Sequence, residues 1–140
     1  MKKTILLVVT CVFACVQMYA QGRLSREEFR AKKQAYISEQ AGLTESEAER
    51  FFPLYTEMRD KIRKLNNAVS QSEKDLAQGK HSDNEYYQMM ERIYNNRIEA
   101  DRLEKLYFYK FKQFLSGEKI YKIHKAEIDF HRRILKNMVH

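Results

Sequence analysis

The chain has 140 residues, 44% hydrophobic and 32% charged, which is room for one modest domain. Four glycines and a single proline, against abundant Leu, Glu, Lys, Arg, Gln and Met, argue for helices nearly throughout, and no run of alternating polarity is long enough for a sheet. Both cysteines, Cys11 and Cys15, lie near the start, so residues 21–140 hold no thiol: this excludes a disulfide framework, a cysteine metal site and a cysteine nucleophile there.

Lys2 and Lys3 make a short basic start, an apolar run follows from Ile5 to Val16, and Met18-Tyr19-Ala20 ends in a small residue before Gln21. This is the layout of a secretory signal peptide over residues 1–20, cut after Ala20, with a run too short for a comfortable transmembrane helix. Val12-Phe13-Ala14-Cys15 also has the outline of a lipoprotein box with Cys15 lipidated, but Phe13 fits that pattern badly. Residues 21–140 are then expected as a single domain in the periplasm, where the lack of thiols suits an oxidising compartment. Removing Lys2 and Lys3 takes the net charge from +7 to +5. Residues 21–100 hold 14 basic and 14 acidic side chains, and residues 101–140 hold 10 and 5, so the whole excess lies in the last part. An exported protein rarely meets nucleic acid; acidic polypeptides or anionic envelope surfaces are the expected partners.

The first helix is expected from Arg26 to Gln40, with Ser25 as cap, Glu28 completing a capping box, and Ala41-Gly42 as its end. Thr44 and Glu47 form a second box, opening a helix to about Gln78. Its stripe of Ala48, Phe51, Tyr55, Met58, Ile62, Leu65, Val69, Ser72 and Leu76 steps by threes and fours, the seam of a coiled coil or long bundle helix. Pro53 interrupts this helix, because it cannot donate to the Glu49 carbonyl and its ring crowds that turn. The stripe keeps phase on both sides, which predicts one helix with a kink at Phe52-Pro53, or two helices meeting end to end there. Gly79 to Ser82 is a turn, and Ser82 with Glu85 forms a third box. The third helix is expected from Asp83 to Leu115, about 50 Å at 1.5 Å per residue, which predicts an elongated molecule. It is apolar around much of its girth, with Tyr94, Ile98, Leu103 and Leu106 beyond the main stripe, so it touches several neighbours, a second copy of the chain among the candidates. Ser116 caps a fourth helix, Gly117 to Met138, with Ile120, Ile123, Phe130, Ile134 and Met138 as its core side.

Two helix starts are alike. Leu43-Thr44-Glu45-Ser46-Glu47 opens the second helix and Leu115-Ser116-Gly117-Glu118-Lys119 the fourth. Paired Leu-Thr-x-x-Gln signatures in a short, exported, all-helical chain resemble the Spy/CpxP family of periplasmic stress proteins. The string Phe51-Phe52-Pro53-Leu54-Tyr55 is similar to that of Bacteroidetes-type members described as sensors of extracytoplasmic-function sigma factors. Both signatures lack the family glutamine, which is Glu47 in one and Lys119 in the other. The resemblance implies an all-α fold of four helices in a bent hairpin that dimerises into a thin, curved cradle. It implies an ATP-independent, chaperone-like protein that binds partly unfolded or signalling proteins. The alternative it carries is a regulatory sensor, responsive to stress or metal, acting on a membrane or sigma-factor system. The plain physical role of Leu43, Thr44, Glu47, Leu115 and Ser116 is helix capping.

Lys119, Lys122, Lys125, Arg132, Arg133 and Lys136 lie away from the fourth helix's core stripe by helical spacing. They suit a client-binding or membrane-surface patch, or an ordinary solvated face whose last cations favour the helix dipole. His124, Glu127 and His131 project from one side of the same helix and are a partial shell for a metal; the commoner role of such an acid is a semi-buried pair with a histidine or cation. No other cofactor is implied. Tyr107, Phe108, Tyr109, Phe111 and Phe114 suit a peptide shelf or, more often, a core or dimer interface. Met58, Met89 and Met90 fall at core spacing. Without a glycine-rich loop or a serine–histidine–acid arrangement, no nucleophile is evident, so the chain is expected to be no enzyme.

Overall fold

Each described helix begins where a short polar side chain can cap it. The computed structural model describes residues 25–138, with side chains described as far as residue 136, and contains α1 (Arg26–Ala41), α2 (Glu45–Ala77), α3 (Asp83–Phe111) and α4 (Gly117–Met138). The described residues are all-α, with no strand among them. The expected signal peptide, Cys15, His140 and the side chain of Met138 lie outside the described residues. All three capping boxes form. Ser25, Thr44 and Ser82 each accept from the amide three residues on, and Glu28, Glu47 and Glu85 each accept the cap's own amide at 2.8 Å. These satisfy amides that no helical carbonyl reaches.

The chain divides into two compact units, one ending at Tyr36 and the other beginning at Ile37. The division falls inside α1, where the sequence pattern shows no boundary. Within the first unit the described residues are the capped start of α1. Everything that follows belongs to the second.

Leu43 is shared by two helix ends. Gly42 adopts φ 61, a conformation costly for residues with a Cβ, and ends α1. The Leu43 amide then donates to the Ser38 carbonyl at 3.0 Å and the Gly42 amide to that of Glu39 at 3.3 Å, the paired bonds of a Schellman ending. One residue later Thr44 caps α2. A single hydrophobic residue therefore closes one helix and precedes the cap of the next.

In the second unit α2 and α3 pack as an antiparallel hairpin around the 78–82 turn. Ion pairs Glu73–Arg97 (2.7 Å) near the turn and Arg59–Glu104 (3.6 Å) farther from it record the opposite directions. Every residue of the expected α2 stripe is buried or half-buried. Phe51, near the start of the stripe, is fully buried, with ring centroids 5.2 Å from Tyr55 and 4.8 Å from Phe111. A side chain of that size buried among aromatic neighbours contributes about 3–5 kcal/mol against alanine. From α3, Ile93, Ala100, Tyr107 and Phe111 complete this core.

Two expectations change. The helix α2 is unbroken from Glu45 to Ala77 with Pro53 inside it, so there is no pair of helices end to end. Pro53 is exposed between buried Phe51 and Tyr55. Its ring and the unanswered Glu49 carbonyl thus fall toward solvent, where a helix tolerates a missing bond. The helix α3 ends at Phe111 rather than Leu115. Its last turn tightens to bonds of shorter span, Gln113 to Lys110 and Phe114 to Phe111, and Leu115 turns into the core ahead of α4.

Candidate functional site

The paired signatures meet in space. Glu47 and Lys119 each sit three residues after a cap, and the Lys119 ammonium donates to Glu47 Oε2 at 2.6 Å, the same oxygen that accepts the Thr44 amide at 2.8 Å. Eight residues further along both helices, the Tyr55 hydroxyl donates to Glu127. Each pair is 72 residues apart, as are Thr44 and Ser116, so α2 and α4 run parallel with their starts level. The two residues at corresponding positions after their caps, Glu47 and Lys119, therefore form an ion pair between α2 and α4. The Glu47 carboxyl is held below its ordinary pKa, first by the Lys119 ammonium and then by the Thr44 amide.

This corrects the expected basic face at one position. Lys119 points to α2, with about a quarter of its side chain exposed, and is an internal clasp rather than a solvent-facing cation. Lys122, Lys125, Arg132, Arg133 and Lys136 are exposed as expected. Lys122 pairs with Glu118 at 2.6 Å and Arg132 lies 3.9 Å from Asp129. On the wheel of α4, Lys125, Arg132 and Lys136 flank a second apolar row of Tyr121, Ile128 and Leu135, all three exposed and nearly opposite the buried Ile123, Ala126 and Phe130. The core stripe is the stronger signal in the sequence, and the seven-residue repeat of the outer row is legible there as well.

Glu127, His124 and His131 are not brought together. Glu127 is half-buried and receives the Tyr55 hydroxyl, whereas both imidazoles are exposed. Among the described residues no three His, Cys, Asp or Glu side chains are grouped to hold a metal ion. Tyr55 is a partner of this acid that the sequence does not suggest. Burial, followed by the Glu127 charge, raises the Tyr55 phenol well above its usual range, so it stays a donor at any physiological pH.

The aromatic run of α3 divides between core and surface. Tyr107 and Phe111 are core, and Phe114 is half-buried with the Arg50 guanidinium 4.4 Å from its ring centre. Phe108 and Tyr109 are exposed, as are Tyr87, Met90, Tyr94, Ile98 and Leu106. Helical spacing places Tyr87, Met90, Tyr94 and Ile98 on one strip turned well away from the α2-facing stripe. Tyr87 is the most open large apolar side chain of the described residues, at 73% exposure. Met58 is buried and Met89 half-buried, as their spacing predicts, whereas Met90, also expected in the core, is exposed on the strip beside Tyr87 and Tyr94. Arg97, whose partner the sequence does not suggest, bonds Glu73 across the hairpin.

No helix among the described residues is long and apolar enough to cross a membrane. No protein-family model matches the chain, and neither the curated proteins nor the solved structures include a match to it.

Proposed function

We propose that this chain is a non-enzymatic periplasmic stress-response protein of the Spy/CpxP type. It binds partly unfolded or signalling proteins without ATP, working as a homodimer. The observation that carries this reading is the exposed apolar strip of α3, Tyr87, Met90, Tyr94 and Ile98, on a helix that already has another side committed to the core. An apolar surface of this kind is left open where another chain is to be held. Rigid support comes from the α2–α3 hairpin. The parallel placement of the two signatures and the Glu47–Lys119 ion pair support the family resemblance, because its two departures, opposite in charge, fall on residues that meet.

The test is light scattering of an aggregating model client with the exported, processed protein added and no ATP. Suppression at a small molar ratio, lost in Tyr94→Ser/Ile98→Ser with the melting temperature unchanged, supports the reading. No suppression at a several-fold excess would reject the chaperone role and leave the regulatory one, a sensor acting on a membrane or sigma-factor system.

A further inference from the structure

We propose that the outer face of α4 is a docking surface for an anionic lipid bilayer, separate from the client-binding strip of α3. Tyr121, Ile128 and Leu135 recur every seven residues and stay exposed, Tyr121 at 61%. They lie about opposite the row that anchors α4 to the rest of the unit, Ile123, Ala126 and Phe130. One side of this helix is therefore held by protein and the other is apolar without being covered.

The flanks settle the chemistry of the occupant. Lys122, Lys125, Arg132 and Lys136 line one edge, against Glu118 and Asp129, and His124 and His131 line the other. The edge is net positive, and its long side chains can lie along apolar surface while their charged ends reach phosphate. A partner helix fits this face poorly. A coiled-coil seam needs two apolar positions per seven residues, and here the second is occupied by His124 and His131, which leaves a row one residue wide with no holes for a partner's knobs. A lipid surface asks for no such complement. It needs apolar side chains at the acyl boundary, cations at the headgroups and an amphipathic aromatic between them, and Tyr121 fills the last place. Each cation near an anionic leaflet strengthens attachment roughly fivefold, so a few of them with three apolar side chains make reversible binding that salt weakens.

The chain contains no tryptophan, so one introduced residue reports on one face. Tyr121→Trp and, as a control on α3, Tyr87→Trp are made in the exported, processed protein and titrated with vesicles of phosphatidylglycerol and phosphatidylcholine or of phosphatidylcholine alone. The expected result is a blue shift and quenching by brominated lipid for Tyr121→Trp with anionic vesicles only, and neither for Tyr87→Trp. Lys125→Glu/Arg132→Glu weakens co-sedimentation more than tenfold, with helix content and melting temperature retained. Equal binding to both vesicle types, no binding at physiological salt, or full binding by the charge-reversed protein overturns the proposal. So does capture of an acidic amphipathic peptide by this face without vesicle binding. Client suppression that persists without vesicle binding defeats this inference alone.

Discussion

At the scale of single residues, the most consequential atom is Oε2 of Glu47, which serves a helix cap and an interhelical ion pair at once. Glu85 has a capping box with no cross-helix cation on it. Glu47→Ala is therefore expected to lower the melting temperature more than Glu85→Ala, and equal losses would show the Lys119 contact to be idle. The sign of the pH dependence follows. A carboxyl held below its ordinary pKa when folded binds protons more readily unfolded, so its contribution is complete above about pH 4.3 and is lost as pH falls through the lowered folded value. Glu28, Glu57, Glu85 and Glu118 are lowered as well, by Ser25, Lys61, Ser82 and Lys122 respectively, so acid melts should show a graded loss below pH 4.3, part of it absent in Glu47→Gln. Tyr55 works the other way. Its raised pKa means stability that is complete below about pH 10 and declines as pH rises beyond, because the unfolded phenol ionises first. Tyr55→Phe leaves the half-buried Glu127 without the hydroxyl and is expected to cost about 1–3 kcal/mol in urea unfolding. A cost within error of zero would mean that water replaces the hydroxyl.

At the scale of elements, Pro53 is the informative position. It lies inside an unbroken 33-residue helix and is exposed, so its replacement by alanine removes no packing and restores the amide for Glu49. Pro53→Ala should stabilise the protein by up to about 3 kcal/mol, the difference between the two residues within a helix. The measurement is thermal unfolding by circular dichroism, with helix content kept. A destabilised variant would mean that the ring packs against a partner or sets a bend that the fold requires. A stabilised variant with impaired client suppression would show that the proline is retained for function at a cost in stability. The elements were largely legible beforehand. The three boxes and the alternating three-and-four spacing located α1, α2 and the start of α3 to within a residue or two. The end of α3 was not, because Lys112-Gln113-Phe114 contains neither glycine nor proline. The helix stops there because Leu115 is drawn into the core, a tertiary demand without a local signature.

At the scale of the whole molecule, the expected homodimer is open to light scattering coupled to size exclusion. A mass of two processed chains is the expected outcome, and a monomer at all concentrations would reject it. If the α3 strip forms the dimer interface and is thereby covered, Tyr94→Ser/Ile98→Ser should yield a monomer, and client suppression should change with it. If the strip holds clients, the same variant remains a dimer and loses suppression. The two roles of these side chains are thus separable in one variant.

What the sequence by itself determined is the local physics: helix throughout, the caps, the core stripe of α2, and the position of the excess charge. Capping and periodicity act within a few residues, so they are written where they operate. Only the tertiary structure decided which equivalent residues face each other. It brought Glu47 to Lys119 and Tyr55 to Glu127 across 72 residues, turned Lys119 from a surface cation into a clasp, and separated Glu127 from the two histidines beside it in sequence. It also divided the apolar residues of α3 and α4 between core and open surface. Helical spacing shows that such a helix has two apolar faces, and the packing of its neighbours determines which one is covered.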